Sequence, residues 1–133
     1  MNILSGEIFE VSSHQGIALV DIRIGDDEFS SLIINSEATE EYIFKGNKVN
    51  LLFKETEISL KRYHEKSIKR QNKVVVEVAS IVYGQILSEV KVNYRNSALT
   101  AIVLTRILNE LALEVGKKAI LILRSQEILL SKV

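Results

Sequence analysis

The stretch GNKVNLLFKETEISL, residues 46–60, recurs further along the chain as GKKAILILRSQEILL, residues 116–130. The two copies align without a gap at an offset of 70, and six of their fifteen positions are identical. Lys54 faces Arg124 in this alignment, so a cation is kept at the same place. Because internal repetition sets the architecture of a chain, the sequence predicts two copies of one small β module.

Composition narrows the class of protein. The chain has 133 residues, 47% of them apolar, which suffices for one domain or for two modules of about 60 residues each. It has no cysteine, which excludes a disulfide framework, a thiolate zinc site and a cysteine nucleophile. We see neither the roughly 18 continuous apolar residues of a membrane helix nor a secretion signal. We therefore expect a cytoplasmic protein that does not insert into a membrane.

Alternation of apolar and polar residues predicts the elements of the first module. Residues 18–24, ALVDIRI, have the period of two that is typical of a half-buried strand. Ser36 is a suitable N-cap for a short helix that Gly46 ends, and Glu55-Thr56 is a tight hairpin turn. The expected elements are strands at 3–14, 18–24, 28–34, 49–54 and 57–62, with the helix running from Ser36 through Glu41. This order is that of a five-stranded OB-like barrel, although several small barrels share it.

The second module reads as shorter than the first. GQILSEV, starting at Gly84, lies over GEIFEVS, starting at Gly6. The repeated glycine follows 32 residues after Gly84 but 40 after Gly6, a shortfall of eight residues. Since that is about one strand with its turn, we expect the second barrel to take a strand from residues 74–81 or from a neighbouring chain.

Residues 96–113, NSALTAIVLTRILNELAL, allow two interpretations. They form one continuous helix capped by Asn96, or a strand to about Val103 followed by a helix from about Arg106 to Leu113. Analogy with the first module favours strand and then helix.

Charge marks the boundary between the modules. Residues 61–73 hold six bases and one acid in a chain of zero net charge, and a solvated linker explains such a run better than a phosphate-binding patch. The expected organisation is all-β with short helices, with a first module at 1–62, a basic linker at 63–73 and a shortened second module at 74–133.

These motifs resemble the Mop, or TOBE, domain, the molybdate-binding module of molbindins, of molybdate-responsive regulators and of some transport ATPases. The family's C-terminal hairpin is similar to FKGNKVNLLFKETEI in the first copy and to LALEVGKKAILILRSQEIL in the second. LTAIVLTRILNELAL resembles the family's segment before the helix. Two tandem copies with little else resemble a di-domain molbindin. The resemblance implies two tandem OB-like barrels that bind molybdate or tungstate, without an organic cofactor, in a homo-oligomer with its sites at subunit interfaces.

The resemblance also implies a set of ligand residues. In the family a basic residue, small hydroxyls and backbone amides hold the oxyanion, and a tetrahedral dianion does need convergent donors and positive charge. Asn2 falls on the last position of the family's S-A-R-N motif, whose second copy we place at Val78-Ala79-Ser80, where the arginine is missing. Thr105 is adjacent to the position of the family's threonine. The implied anion-binding residues are Lys54, Thr56, Arg124, Ser125, Thr105 and Asn2.

Two other functions stay open. The incomplete S-A-R-N motif favours an interaction or effector-sensing module of a regulator or transporter that has lost anion binding. Nucleic-acid binding by an OB-type surface would use residues 61–73 with Tyr63, Tyr83 and Tyr94, and a neutral chain with few aromatic residues makes this the weakest hypothesis. We expect no enzyme and no catalytic residue, because the sequence has no Gly-rich phosphate loop, nucleophile elbow or serine–histidine–aspartate signature. We also expect no metal site, because no carboxylate–histidine cluster of metal-ligand spacing surrounds His14 or His64.

Overall fold

In the part of the chain that the structure describes, ten strands form two antiparallel sheets, and one short helix lies among their connections. The computed structural model of the protein describes residues 1–34, 41–66 and 70–133. In chain order the elements are β1 (Asn2–His14), β2 (Ile17–Ile24), β3 (Asp27–Ile34), β4 (Lys48–Phe53), a first 3₁₀ turn (Glu55–Glu57), β5 (Ser59–Arg62), β6 (Lys73–Val82), β7 (Leu87–Tyr94), β8 (Ser97–Leu104), α1 (Thr105–Leu111), β9 (Lys118–Ile122), a second 3₁₀ turn (Ser125–Glu127) and β10 (Leu129–Lys132). The predicted strands of the first half are confirmed within about two residues.

Residues 96–113 form a strand followed by a helix, as the analogy with the first module predicted. β8 ends at Leu104 and α1 begins at Thr105, so the continuous helix capped by Asn96 is wrong. Residues 36–40 of the helix predicted from Ser36 to Gly46 lie outside the described residues, and residues 41–45 form turns rather than helix. Among those that are described, no helix is long and apolar enough to cross a membrane.

The last strand of each half of the chain belongs to the sheet of the other half. The sheets have the strand orders β10-β4-β1-β2-β3 and β5-β9-β6-β7-β8. Leu130 of β10 pairs with Leu51, and Leu60 of β5 pairs with Leu121. The hairpin expected at Glu55-Thr56 is therefore wrong, because the first 3₁₀ turn directs β5 away from β4 and onto β9. The division of the chain at 1–62, 63–73 and 74–133 stays a prediction, but neither sheet is built from one half alone.

The offset of 70 holds over the whole of both sheets. A β-bulge lies between Ile8 and Glu10 in β1 and between Val78 and Ser80 in β6. The Ile8 amide donates to the Asn47 carbonyl at 2.9 Å, and the Val78 amide donates to the Lys117 carbonyl at the same distance. Since both sheets have five strands in equivalent order, the expected shortening of the second module is wrong.

The error lies in the alignment of two glycines. Gly6 pairs with Val49 and its counterpart is Val76, which pairs with Ala119, whereas Gly84 lies between β6 and β7. An alternating strand matches itself when it is displaced by an even number of residues. The match of GQILSEV to GEIFEVS therefore placed the counterpart of Gly6 at Gly84, eight residues after its actual position at Val76. Residues 74–81 are thus the regular first strand of the second sheet rather than a borrowed extra one.

One hydrophobic core serves both sheets. The cluster of buried side chains includes members from each half of the chain, and burial of apolar area is the dominant favourable term in folding. The largest fully buried side chains are Tyr94, Phe29, Phe53, Ile8, Ile22, Leu51, Leu99, Leu108, Leu121 and Ile128.

The β2–β3 and β7–β8 turns meet where the two halves join. The Tyr94 hydroxyl donates to the Asp27 carboxylate at 2.6 Å, and the Arg95 guanidinium donates to Asp26 at 2.8 Å and to Asp27 at 3.2 Å. Gly25 is the counterpart of Arg95 at the offset of 70, and a Cβ atom at Gly25 would lie 2.5 Å from the Arg95 guanidinium. Burial raises the pKa of Tyr94 above its ordinary value, and the hydrogen bond to Asp27 adds to the rise. Because Gly25 has no side chain, the β2–β3 turn leaves room for the Arg95 side chain of the β7–β8 turn.

Candidate functional site

A cluster of neutral hydrogen-bonding groups lies where β3, the start of β6 and the second 3₁₀ turn converge. We call Ser30, Asn72 and Ser125 the second-turn cluster. The Asn72 amide nitrogen donates to the Ser125 hydroxyl at 2.9 Å and to the Ser30 hydroxyl at 3.1 Å, and the two hydroxyl oxygens are 2.5 Å apart. Ser30 and Asn72 are buried and Ser125 is half-buried. Three polar side chains from three separate segments thus point at one another.

Backbone contacts hold this cluster in place. The Asn72 side-chain oxygen accepts from the Ser30 amide at 2.8 Å, while its backbone amide donates to the Glu28 carbonyl at 2.9 Å. The Ser31 hydroxyl donates to the Ile128 carbonyl and ties β3 to the chain just after the second 3₁₀ turn. Because a buried amide must be hydrogen-bonded, Asn72 has a single orientation and the site is preorganised.

The first 3₁₀ turn carries the counterpart, the first-turn cluster of Asn2, Thr100 and Glu55. The Asn2 amide nitrogen donates to the Thr100 carbonyl at 2.9 Å, and the Thr100 amide donates to the Asn2 side-chain oxygen at 2.9 Å. Glu55 takes the place of Ser125, and its carboxylate lies 2.9 Å from the Met1 ammonium. A hydrogen bond from that ammonium lowers the pKa of Glu55, so the group is ionised at neutral pH. The asparagine frame is repeated, but a negative charge replaces the hydroxyl.

The two predicted cations precede these turns. Arg124 is exposed and its guanidinium forms an ion pair with Glu127, within the second 3₁₀ turn. Lys54 is also exposed, and it lines a cleft of about 180 Å³ together with Gln126 and Glu127. Each turn is therefore preceded by an exposed cation, and that of the second turn is paired with Glu127.

The two predicted threonines lie elsewhere. The Thr105 hydroxyl donates to the Gly84 carbonyl at 2.9 Å and lies 2.6 Å from the Ser88 hydroxyl, where it fixes the loop before β7. Thr56 lines an apolar cleft with Leu87 and Ile107. Of the predicted residues, the structure brings Ser125 into the second-turn cluster and Asn2 into the first.

Sequence reasoning missed Ser30, Asn72 and Thr100. The misplaced second S-A-R-N copy at Val78-Ala79-Ser80 is the cause, since the counterpart of Asn2 is Asn72. Extending the ungapped offset of 70 toward the N-terminus would have matched Asn2 with Asn72 and the hydroxyl of Ser30 with that of Thr100.

The second-turn cluster consists of two hydroxyls and an amide, all of them neutral, and Arg124 directly precedes Ser125 in the chain. Oxyanions are bound by such convergent donors, and charged acceptors strengthen each hydrogen bond. Within residues 1–34, 41–66 and 70–133, no group of three or more histidine, cysteine, aspartate or glutamate side chains is arranged to hold a metal ion.

The fold defines a class: a mostly β protein of two curled antiparallel sheets, with the character of tandem OB-like barrel modules. Among solved structures, it is similar to ModG, a cytoplasmic molybdate-binding protein crystallised with molybdate bound. The TM-score is 0.83 at 20% sequence identity, over 97% of this chain and 94% of that chain. At this identity the likeness shows the fold alone. No family model matches the chain, and no curated protein matches its sequence.

Proposed function

We propose that this protein binds a tetrahedral oxyanion, molybdate or tungstate, without covalent chemistry, for storage, homeostasis or sensing in the cytoplasm. The observation that carries the proposal is the second-turn cluster, in which Ser30, Asn72 and Ser125 converge beside Arg124. The shared fold with a molybdate-binding protein supports it.

Each residue has a stated part in this proposal. Ser125 donates its hydroxyl hydrogen to an anion oxygen, and Asn72 orients Ser125 by donating through its side-chain amide to the Ser125 hydroxyl. Arg124 leaves Glu127 and supplies charge to the bound anion. Ser30 keeps the hydroxyl pair together from the β3 side. We assign Thr105 a structural role, because its hydroxyl already serves Gly84 and Ser88.

We further propose that the protein is a homo-oligomer with its anion sites at subunit interfaces. Support for the oligomer comes from an apolar cleft of about 290 Å³ between α1 and the start of β5. Leu87, Leu104 and Ile107 line it and expose 52%, 39% and 45% of their surfaces. Contiguous exposed apolar residues of this kind mark interaction sites, and a second copy would cover them.

Native mass spectrometry of the purified protein tests both parts. The protein is incubated with molybdate or tungstate, with sulfate as competitor, and discrete adducts on an oligomer are expected. Ser125→Ala should weaken binding by about ten- to a hundredfold, since a hydrogen bond to a charged group contributes ~1.5–3 kcal/mol. Arg124→Ala should weaken it and Arg106→Ala, another exposed cation, should not. An oligomer without any bound anion would contradict the proposal.

That outcome would favour the alternative, an interaction module that has lost anion binding. Glu55 in the first-turn cluster and the apolar cleft beside α1 are the observations in its favour. The partner would then be sought by cross-linking through a cysteine placed at Ile107.

A further inference from the structure

The two clusters share a frame but differ in one functional group. Asn2 and Asn72 make the same pair of hydrogen bonds, to Thr100 in one case and Ser30 in the other. The first 3₁₀ turn packs on β8 as the second packs on β3. A hydroxyl at position 30 has its counterpart at position 100, and a cation precedes both turns. The chain therefore carries two positions with the framework of the proposed site.

Glu55 is the difference that decides which of them takes an anion. Ser125 contributes a hydroxyl that can donate, whereas an ionised carboxylate has acceptor oxygens only. Glu55 and Ser125 occupy equivalent places in their turns and both are half-buried. The Glu55 carboxylate is held by the ammonium of Met1, the residue that precedes Asn2 in the chain. The Met1 ammonium offsets part of this charge, but the carboxylate still presents only acceptor oxygens to an oxyanion, which needs donors.

We propose that the two pseudo-equivalent positions are unequal, so that the oxyanion binds only at the second-turn cluster and Glu55 blocks the first. This inference rests on the proposed function and deepens it. Glu55 is thus a specificity-determining residue, because it sets how many anions the chain holds. The other first-turn groups match those of the second turn in type: Asn2 is oriented by two bonds to the Thr100 backbone, Thr100 carries a hydroxyl, and Lys54 precedes the turn.

The test counts tungstate ions per chain by native mass spectrometry in six proteins. Wild type is compared with Glu55→Ser, which restores the hydroxyl, with Ser125→Glu, which reproduces the block at the other cluster, and with Glu55→Gln. Glu10→Ser and Ser13→Glu, at exposed positions of β1, are the matched controls. Thermal unfolding followed by circular dichroism shows which variants are folded.

The proposal expects Glu55→Ser to double the number of bound anions and Ser125→Glu to abolish binding. Glu55→Gln removes the charge but supplies an amide donor, and it should add a weaker second site. Both controls should keep the wild-type count. If Ser125→Glu does not fold, the gain in Glu55→Ser still decides the question.

The failures are distinguishable. A wild-type protein that takes up no tungstate overturns the proposed function together with this inference. A wild-type protein that binds, combined with a Ser125→Glu variant that keeps half of the anions, overturns this inference alone. A folded Glu55→Ser variant with the wild-type count overturns it as well.

Discussion

Asn72 and Ser30 come from different halves of the chain, and the Asn72 side chain pairs with both the amide and the carbonyl of Ser30, at 2.8 and 3.4 Å. The Asn72 side chain thus makes the two hydrogen bonds with Ser30 that a neighbouring strand would otherwise make. The Asn72 carbonyl meanwhile accepts from the Leu123 amide at 2.9 Å, so a single residue connects the first sheet to the strand that leads into the second 3₁₀ turn. The geometry of the second-turn cluster depends on this connection.

Replacing this asparagine should destabilise the fold. Asn72→Ala leaves the buried Ser30 amide without its partner, and we expect a loss of about 1–3 kcal/mol in the free energy of unfolding. Asn2→Ala should cost a similar amount, because Asn2 makes the equivalent bonds. Urea unfolding measures both, with the exposed Asn109→Ala as control. Equal stability of Asn72→Ala and the control would show that Asn72 does not organise this junction.

The contact between the β2–β3 and β7–β8 turns predicts that an added methyl group lowers stability more at Gly25 than at Gly16. Gly25→Ala places a Cβ atom against the Arg95 guanidinium at 2.5 Å, and the residue also has a positive φ of 60°. Gly16 has a φ of 78° with nothing near its Cβ position, so Gly16→Ala carries the backbone strain alone. Each should lose about 1 kcal/mol for the backbone, and thermal unfolding should show a clearly larger loss at Gly25. Matching losses would mean that Arg95 moves aside freely.

The buried tyrosine predicts a pH dependence of stability. Tyr94→Phe removes the hydroxyl that donates to Asp27 and should lower the free energy of unfolding by about 1–2 kcal/mol at pH 7. The pKa of Tyr94 is raised in the folded state, so its contribution is complete below the ordinary tyrosine pKa of about 10 and is lost as the pH rises above that value. The difference between wild type and Tyr94→Phe should therefore shrink above about pH 10. The exposed Tyr83→Phe should follow wild type at every pH, and a constant difference for Tyr94→Phe would contradict the linkage.

If the apolar cleft beside α1 is the subunit interface, a charge placed in the cleft should dissociate the oligomer. Ile107→Lys should dissociate the proposed oligomer, since a lysine buried in an apolar contact must lose its hydration. Light scattering coupled to size-exclusion chromatography gives the mass directly. Val115→Lys, at a residue exposed by 59% outside the cleft, is the control. An Ile107→Lys variant with the wild-type mass would place the interface elsewhere.

Strand exchange predicts that the two halves fold only together. A fragment of residues 1–66 has no β10 to cover β4, and a fragment of residues 67–133 has no β5 to cover β9, so each leaves an open sheet edge. We expect either fragment alone to be unstructured or aggregated, and an equimolar mixture to regain the β-sheet circular dichroism spectrum of the whole chain. Cooperative unfolding of one isolated fragment would refute this expectation.

The sequence predicted the strands well because their alternation is a local property. It did not predict which sheet takes β5 or β10, since both β4 and β9 are apolar strands of matching pattern and either partner satisfies the alternation. The second-turn cluster was only half predicted for a related reason. Ser125 lies in the repeat of residues 46–60 and 116–130, whereas Asn72 and Ser30 come close to Ser125 only through tertiary contacts. The wrong alignment of β6 also prevented Asn72 from being matched with Asn2.

The exchange of last strands has a consequence for how far the two halves can differ. Two identical half-length chains with these contacts would each lend a final strand to the other, and every residue would be the same in both halves. In a single polypeptide the equivalent positions are separate residues and can differ. Gly25 opposite Arg95, and Glu55 in the place of Ser125, are differences that a pair of identical chains cannot have.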